Sequence, residues 1–346
     1  MRDQSGFVLA TTVWMLAVLM LLAGLFHNYV QQELQRAVLT KKNSEAEIDI
    51  LSTENTVRYL LLSRHFTYAG LTTEARESDT LFAAGNYARR LPYGDEIALD
   101  STVYSGVGCA MFRIQDSTGL IGLNAIGADS LLSDTLSWQL GDQKLRSLSA
   151  TLADYIDKDE QRRVGGAERF EYERYQLVPP ANDFLRSDRE IERIYGWTEW
   201  LTRNPSWRDL LNMGFSSAFN INTAPPALLA LLLDIELIEA QELVDHRRTS
   251  PFSSLKEVAK VLSRVDRWQT QRFRFYADGS FKLQFWCAEN SYTKSLGLQL
   301  TPQSLNGPEQ IDYVYRGSGA SAKSTPPAAI PSQTTLFADS LSTDGG

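Results

Sequence analysis

The chain has 346 residues, 43% hydrophobic and 22% charged, with a formal net charge of −8. That length supports one large domain or two moderate ones with real cores. The acidic balance argues against electrostatic capture of nucleic acid or of anionic lipid, both of which want clustered Lys and Arg.

The opening stretch, MRDQSG, is short, polar and nearly neutral, because Arg2 offsets Asp3. An apolar run from Phe7 to Phe26 follows at once. A membrane span needs roughly 20 such residues, whereas a secretory signal core is shorter and ends in a small-residue cleavage site. No such site follows Phe26. Two readings stay open on these residues: a plain signal anchor, or a prepilin cut between Gly6 and Phe7. From His27 to about Phe66 there is no Pro and no Gly, and Val30, Leu34, Ala37, Val38, Ile48, Leu51 and Leu60 fall at helical spacings. One helix from Phe7 to Ser63 would be about 85 Å long.

After Gly70 the texture changes to short alternating runs bounded by turn residues, EIALDSTVYS and GCAMFRIQDSTGLIGLN, which predict strands. From Ile126 to Trp268 the text turns helical, through DSLLSDTLSWQ, LRSLSATLADYID, SDREIERIYGWTEWLT, APPALLALLLDIELIEAQELVDHRR and SSLKEVAKVLSRV. Strands return in RFRFYADGSFKLQFWCAE, where Asp278-Gly279 predicts a tight hairpin, then in KSLGLQLTP and QIDYVYR. The last stretch is rich in Ser, Thr, Pro, Gly and Ala and predicts a disordered tail. The expected fold class is α+β. A leader at 1–6 and a transmembrane half-helix at 7–26 precede a small domain with an antiparallel sheet, 27–125 and 271–316. An all-α domain, 126–270, interrupts that sheet, and the tail runs from 317 to 346. Two cysteines, Cys109 and Cys287, build neither a disulfide scaffold nor a zinc site. They either pair, if the domain is exported, or sit as small buried apolar residues.

The ordered set of Gly6 before an apolar helix, LIGLNAI, LADYIDKDEQRRVGGAE, VPPANDFLRSDREI and FNINTAPPALLALL resembles the minor pseudopilin K family of the type II secretion system. The resemblance runs from the leader to about Gly317. It implies a pilin-like fold with a large helical insertion, cleavage after Gly6, and methylation of Phe7 by a prepilin peptidase. It also implies a single-pass protein of the inner membrane with its soluble part in the periplasm. There it would initiate and cap the pseudopilus that exports folded proteins, with minor pseudopilins I and J and other pseudopilus subunits as partners. Most pilin-like subunits carry Glu at the fifth mature position. Here that position is Thr11. A carboxylate in the span costs about 2.5–3.5 kcal/mol, offset in a filament by the α-amino group of the subunit ahead. A terminal subunit has none ahead, and Thr11 can instead bond back to its own helix.

The acidic stretch invites a metal test. Asp157, Asp159, Gln161 and Glu168 fall at positions 1, 3, 5 and 12 of a calcium-loop count, and Asp154 lies on the same helical face as Asp157. Proteins of family K are associated with bound calcium, which makes calcium the expected cation. Against it, Arg162 stands where an EF-hand needs Gly, Arg163 adds further positive charge, and Arg169 follows GAE where the family often has another acid. A weakened site, an Arg–carboxylate replacement or a solvated acidic helix end are the alternatives.

The segment NINTAPPALLALLLDIELIEAQELVDHRRTSPFSSLKEV is laid out like a helix–hairpin–helix, with Thr223 as an expected cap and Ser254 with Glu257 as an expected capping box. Nucleic-acid-binding versions present a Gly-rich hairpin to phosphate; here Asp234 and Glu236 occupy it, which would repel phosphate. A membrane-anchored nucleic-acid binder is therefore only the alternative reading. Trp197, Trp200 and Trp207 suit a core, or a protein contact if exposed. His27, His65 and His246 lack a convincing nucleophile or metal partner, and no nucleophile elbow, phosphate loop or HExxH is present. The chain is not expected to be an enzyme or to bind a small-molecule substrate.

Overall fold

The structure, a computed structural model, describes residues 5–75, 90–128, 131–132, 144–263, 272–287, 292–318 and 335–337. Residues 1–4 of the leader, most of the DSLLSDTLSWQ segment and most of the tail lie outside the described residues.

The chain opens with α1 (Ser5–Ser63), 59 residues without a break, or about 88 Å at 1.5 Å per residue. It continues through β1 (Leu71–Thr72), β2 (Glu96–Ile97), β3 (Asp100–Ser105), β4 (Ala110–Asp116) and β5 (Ile121–Gly122). The helical part holds α2 (Lys144–Ile156), α3 (Arg169–Arg174), α4 (Trp197–Arg203), α5 (Pro226–Leu233), α6 (Leu237–Arg247) and α7 (Leu255–Val261). Among these helices lie the two-residue strands β6 (Leu211–Asn212) and β7 (Phe219–Asn220); β8 (Phe273–Arg274), β9 (Ser280–Cys287), β10 (Tyr292–Leu300) and β11 (Glu309–Ser318) complete the strands. The central sheet has the order β11-β10-β9-β4-β3 and is antiparallel throughout. This is the expected fold class: a long N-terminal helix, a small antiparallel sheet and a helical insertion. The insertion also carries strand, because β5 pairs with β6 and β7 with β8, both in parallel.

β4 and β9 are neighbours, with Ala110 opposite Cys287 and Asp116 opposite Phe281. The chain therefore leaves and rejoins the sheet on adjacent strands, and the intervening residues fold outside it. They build their own cores. One gathers Leu145, Leu148, Leu152, Trp197, Leu201 and Leu211; another gathers Ile221, Leu229, Leu243, Phe252 and Val258. The Trp cluster is core: Trp200 lies edge-on to Trp197 and Trp207, with ring centroids 5.9 and 5.1 Å apart.

The helix meets the sheet along a stripe that shares Leu60 with the expected one and otherwise differs from it. Ala46, Ile50, Val57, Leu60 and Leu61 are buried on the sheet, whereas Val30, Leu34, Val38 and Ile48 are exposed. The reason is that two polar residues sit on the buried face. Thr53 accepts the Val107 N–H at 2.9 Å and donates to the Asp49 carbonyl at 2.8 Å. Glu54 forms a buried ion pair with Lys294 of β10. Each is satisfied, so burial does not leave an orphaned group. One turn on, Arg58 pairs with Glu309 of β11.

Cys109 and Cys287 form a disulfide, with Cα atoms 5.3 Å apart. Of the two readings left open by the sequence, pairing is the one observed. The Asp278-Gly279 turn is not a hairpin: β8 ahead of it pairs with β7, and Asp278 instead holds Arg274 at 3.0 Å. The partner strand of an expected hairpin was claimed by the insertion.

At the other end of the β4–β9 pair, Asp116 is fully buried. Its Oδ2 accepts Thr118 Oγ1 at 2.6 Å, Asn220 Nδ2 at 2.8 Å and Thr223 Oγ1 at 2.9 Å, and its Oδ1 accepts the Thr118 N–H at 3.1 Å. Burial pushes its carboxyl up from the ordinary range, and the Thr118 and Asn220 hydrogen bonds pull against that shift. Asp116→Asn keeps the size but sets an NH2 among these donors, at an expected cost of about 3 kcal/mol, read as a lowered midpoint in urea unfolding.

Candidate metal centre and membrane helix

The acidic loop begins where α2 ends. Asp154, in the last turn of α2, is fully buried. It accepts the Arg163 backbone N–H at 3.2 Å and Arg163 Nη1 at 2.8 Å. The same guanidinium also pairs with Asp157 Oδ2. Gly165 has φ +82°, and a Cβ on Gly166 would stand 2.0 Å from Asp154 Oδ2. The Gly pair thus lets the loop close onto Asp154.

Asp157, Asp159 and Glu168 each bring a carboxylate oxygen within 4.8 Å of the others. Asp154 does not join that group. Its carboxylate is committed to Arg163, which makes it a brace for the loop and not the ligand expected from its helical face. Of the three arginines expected to oppose a cation, Arg162 bonds Glu171 at 2.6 Å and Arg169 lies 3.6 Å from Glu160, whereas Arg163 stays on the acidic loop with Asp154 and Asp157. The Arg–carboxylate replacement exists, but it is made by Arg163.

Both carboxylate oxygens of Glu168 and the Oδ1 of Asp157 are buried without a hydrogen-bond partner. Burial, then the charges of Asp154, Asp157, Glu160 and Asp159, push the Glu168 carboxyl up to about 7. Asn182, which the sequence reading passed over, adds another buried oxygen without a partner. Its Nδ2 reaches the Asp159 carbonyl at 3.5 Å and Glu160 Oε1 at 3.3 Å. Nothing local in the sequence marks Asn182 for this place; its positive backbone φ of 48° is visible only in the structure. Orphaned buried oxygens are rare and call for an explanation. Several hard oxygens with too little positive charge fit a calcium ion.

The helical hairpin is held by polar groups, not shaped for phosphate. Asn222 Nδ2 donates to the carbonyls of Phe252 and Phe275, both at 2.8 Å, and its Oδ1 accepts the Phe252 N–H at 2.9 Å. Arg247 donates Nη1 to the Ile221 and Ala224 carbonyls at 2.7 Å and pairs through Nη2 with Asp100 at 3.1 Å. Thr223 does not cap α5, where Pro225 is the capping residue, because its hydroxyl is drawn to Asp116. The expected Ser254–Glu257 box is replaced by Ser253, whose N–H and hydroxyl both reach Glu257, at 2.7 and 2.9 Å. At the hairpin, Glu236 caps α6 with its N–H bonded to Glu239 at 2.9 Å, so carboxylates occupy the place of the phosphate-binding glycines.

The membrane half of α1 is the one helix among the described residues long and apolar enough to cross a bilayer. Leu9, Trp14, Met15, Leu19, Met20 and Leu22 are all exposed. Gly6 and Phe7 lie in its first turns. Thr11 sits on this exposed stretch, and its neighbour Thr12 donates to the Leu9 carbonyl at 2.9 Å.

Residues 219–271 match the family model described as type II secretion system (T2SS), protein K. No curated protein matches the chain. Among solved structures, the GspK-GspI-GspJ complex from the type 2 secretion system of enterotoxigenic Escherichia coli contains a similar chain. It shows 15% identity and a TM-score of 0.49, over 84% of this chain and 99% of that one.

A calcium ion held by these oxygens would have a measurable effect on stability. Calcium added to the metal-free protein should raise the melting temperature, chelator should reverse the rise, and Glu168→Gln should abolish it. Asp154→Asn should instead lower the melting temperature with or without calcium, because it breaks the Arg163 brace. The segment that matches the family model, with its Asn220, Asn222 and Thr223 ties, contains FNINTAPPALLALL, one of the stretches that carried the sequence resemblance, and the likeness of this chain to type II secretion system protein K is shown by that match over residues 219–271.

Proposed function

We propose that the chain is a minor pseudopilin of the type II secretion system that starts and caps the pseudopilus. The observation that carries this reading is the family match over 219–271, on a chain whose other end is an exposed apolar helix. The apolar half of α1 partitions into the inner membrane. It then exchanges lipid for the equivalent helices of other subunits, which costs little because both surroundings are apolar. The head is held on the same helix by Glu54–Lys294 and Arg58–Glu309, so it moves as the helix moves.

Thr11 supports a terminal place. It brings no charge into the span and needs no amino group from a subunit ahead. The insertion adds bulk to one side of the sheet, and we propose that this bulk leaves no room for a further subunit above. The protein K of the solved complex stands with GspI and GspJ; counterparts of those pseudopilins are the proposed neighbours here. The Cys109–Cys287 disulfide supports an oxidising compartment for the head, which the periplasm is. Calcium at Asp157, Asp159 and Glu168, with Asn182 beside them, would fix the loop after α2 by neutralising their charge. Nothing in this reading calls for catalysis.

Processing tests the proposal. Co-expressed with a prepilin peptidase, the protein should lose residues 1–6 and gain one methyl group on Phe7, measured by intact mass. A mature chain that keeps Met1, or that has lost the apolar helix, would overturn it.

A further inference from the structure

The last 30 residues carry few large apolar side chains: Ile330, Leu336, Phe337 and Leu341. One of them is in the core. Thr335–Phe337 forms a 3-10 turn against α1, and Phe337 is 8% exposed. Its ring lies 5.3 Å from that of Phe112, at an interplanar angle of 18°. Phe112 is fully buried and also stacks on Tyr104 at 5.7 Å and Phe285 at 6.5 Å. Phe337 thus completes a set of aromatic rings centred on Phe112. The adjacent Leu336 stays 38% exposed, so the short turn commits a single large side chain to the interior.

That arrangement is a slot with an occupant. Its walls are α1 and the ring of Phe112, within an apolar cluster that also holds Tyr104 and Phe285. Its occupant belongs to a stretch of sequence rich in small and polar residues. We propose that this slot is a docking site for an aromatic side chain, that its ligand is the chain's own Thr335–Phe337, and that the segment docks and leaves without unfolding the head. A contact resting on one ring belongs to the low end of the range of local stabilities, well below that of the sheet it rests on. Both ends of the stretch 319–334 are thereby fixed to the head, at β11 and at the slot.

The test uses the full chain. Phe337→Ala should lower the melting temperature by several degrees, Phe337→Leu by less, and Leu336→Ala should leave it near the parent value. A synthetic peptide of residues 331–341 should then bind the Phe337→Ala protein and raise its melting temperature, while the same peptide with Ala at 337 should not. If Phe337→Ala does not fold, Phe337→Leu takes its place in the peptide experiment. Equal melting of Phe337→Ala, Leu336→Ala and the parent would overturn the slot itself. A lowered melting temperature that peptide does not restore would overturn docking and leave Phe337 a fixed core residue.

Discussion

The pairing of β4 with β9 is the constraint on which the rest of the molecule depends. These strands lie far apart in sequence and side by side in the sheet, in one register from Ala110–Cys287 to Asp116–Phe281. Everything between them must leave and return within one strand spacing, about 4.8 Å. A segment with that boundary condition is free to fold as its own body, and it does so around its own apolar clusters. Each end of the pair is then reinforced by different chemistry: a covalent bridge beside Ala110, and a buried carboxylate with four hydrogen bonds at Asp116.

The residues that carried the resemblance turn out to be ties of this kind. Asn124 of LIGLNAI donates to the carbonyls of Leu185 and Met213, both at 2.9 Å, and accepts the Leu185 N–H at the same distance. Asp188 of VPPANDFLRSDREI holds Lys282 at 2.6 Å and Tyr313 at 2.8 Å, joining the insertion to the sheet. Asn220 and Thr223 reach Asp116, and Asn222 closes the hairpin module on itself. A buried amide that bonds backbone on two sides cannot be exchanged for an apolar residue without leaving several groups unpaired. That explains why short polar motifs, spread through a mainly helical text, could carry a resemblance at all.

The acidic loop stands apart, because its polar groups are not all tied. Arg163 takes up Asp154 and one oxygen of Asp157, and the other oxygen of Asp157 and both oxygens of Glu168 are left facing one another's charge. Within one loop there is thus an internal cation serving the brace and a shortage of positive charge beside it. The division follows from the Gly165-Gly166 turn, which lays the loop against Asp154 and turns Glu168 inward.

Much of this was legible in the sequence. The membrane helix shows in composition alone, and the strands and the interrupting helices show in periodicity and turn residues. What was not legible has a common cause, namely polar groups with distant partners. Thr53 and Glu54 broke the apolar stripe of α1 because Val107 and Lys294 satisfy them. Thr223 looked like a cap because Asp116, its actual partner, lies 107 positions away. Asp278-Gly279 read as a hairpin because nothing local shows that β8 pairs with β7. Asp154 and Asp157 share a helical face, yet Arg163 separates their roles. In the tail, composition averaged away Phe337, which packs among the described residues.

The disulfide has a mechanical consequence. Tension carried along the backbone from α1 toward β11 reaches Cys109 and crosses to Cys287 through the sulfurs. The residues between, which include the whole insertion with its acidic loop and its helical hairpin, lie off that line. A pull along the rod toward the last strands thus bypasses the insertion, which stays unstressed.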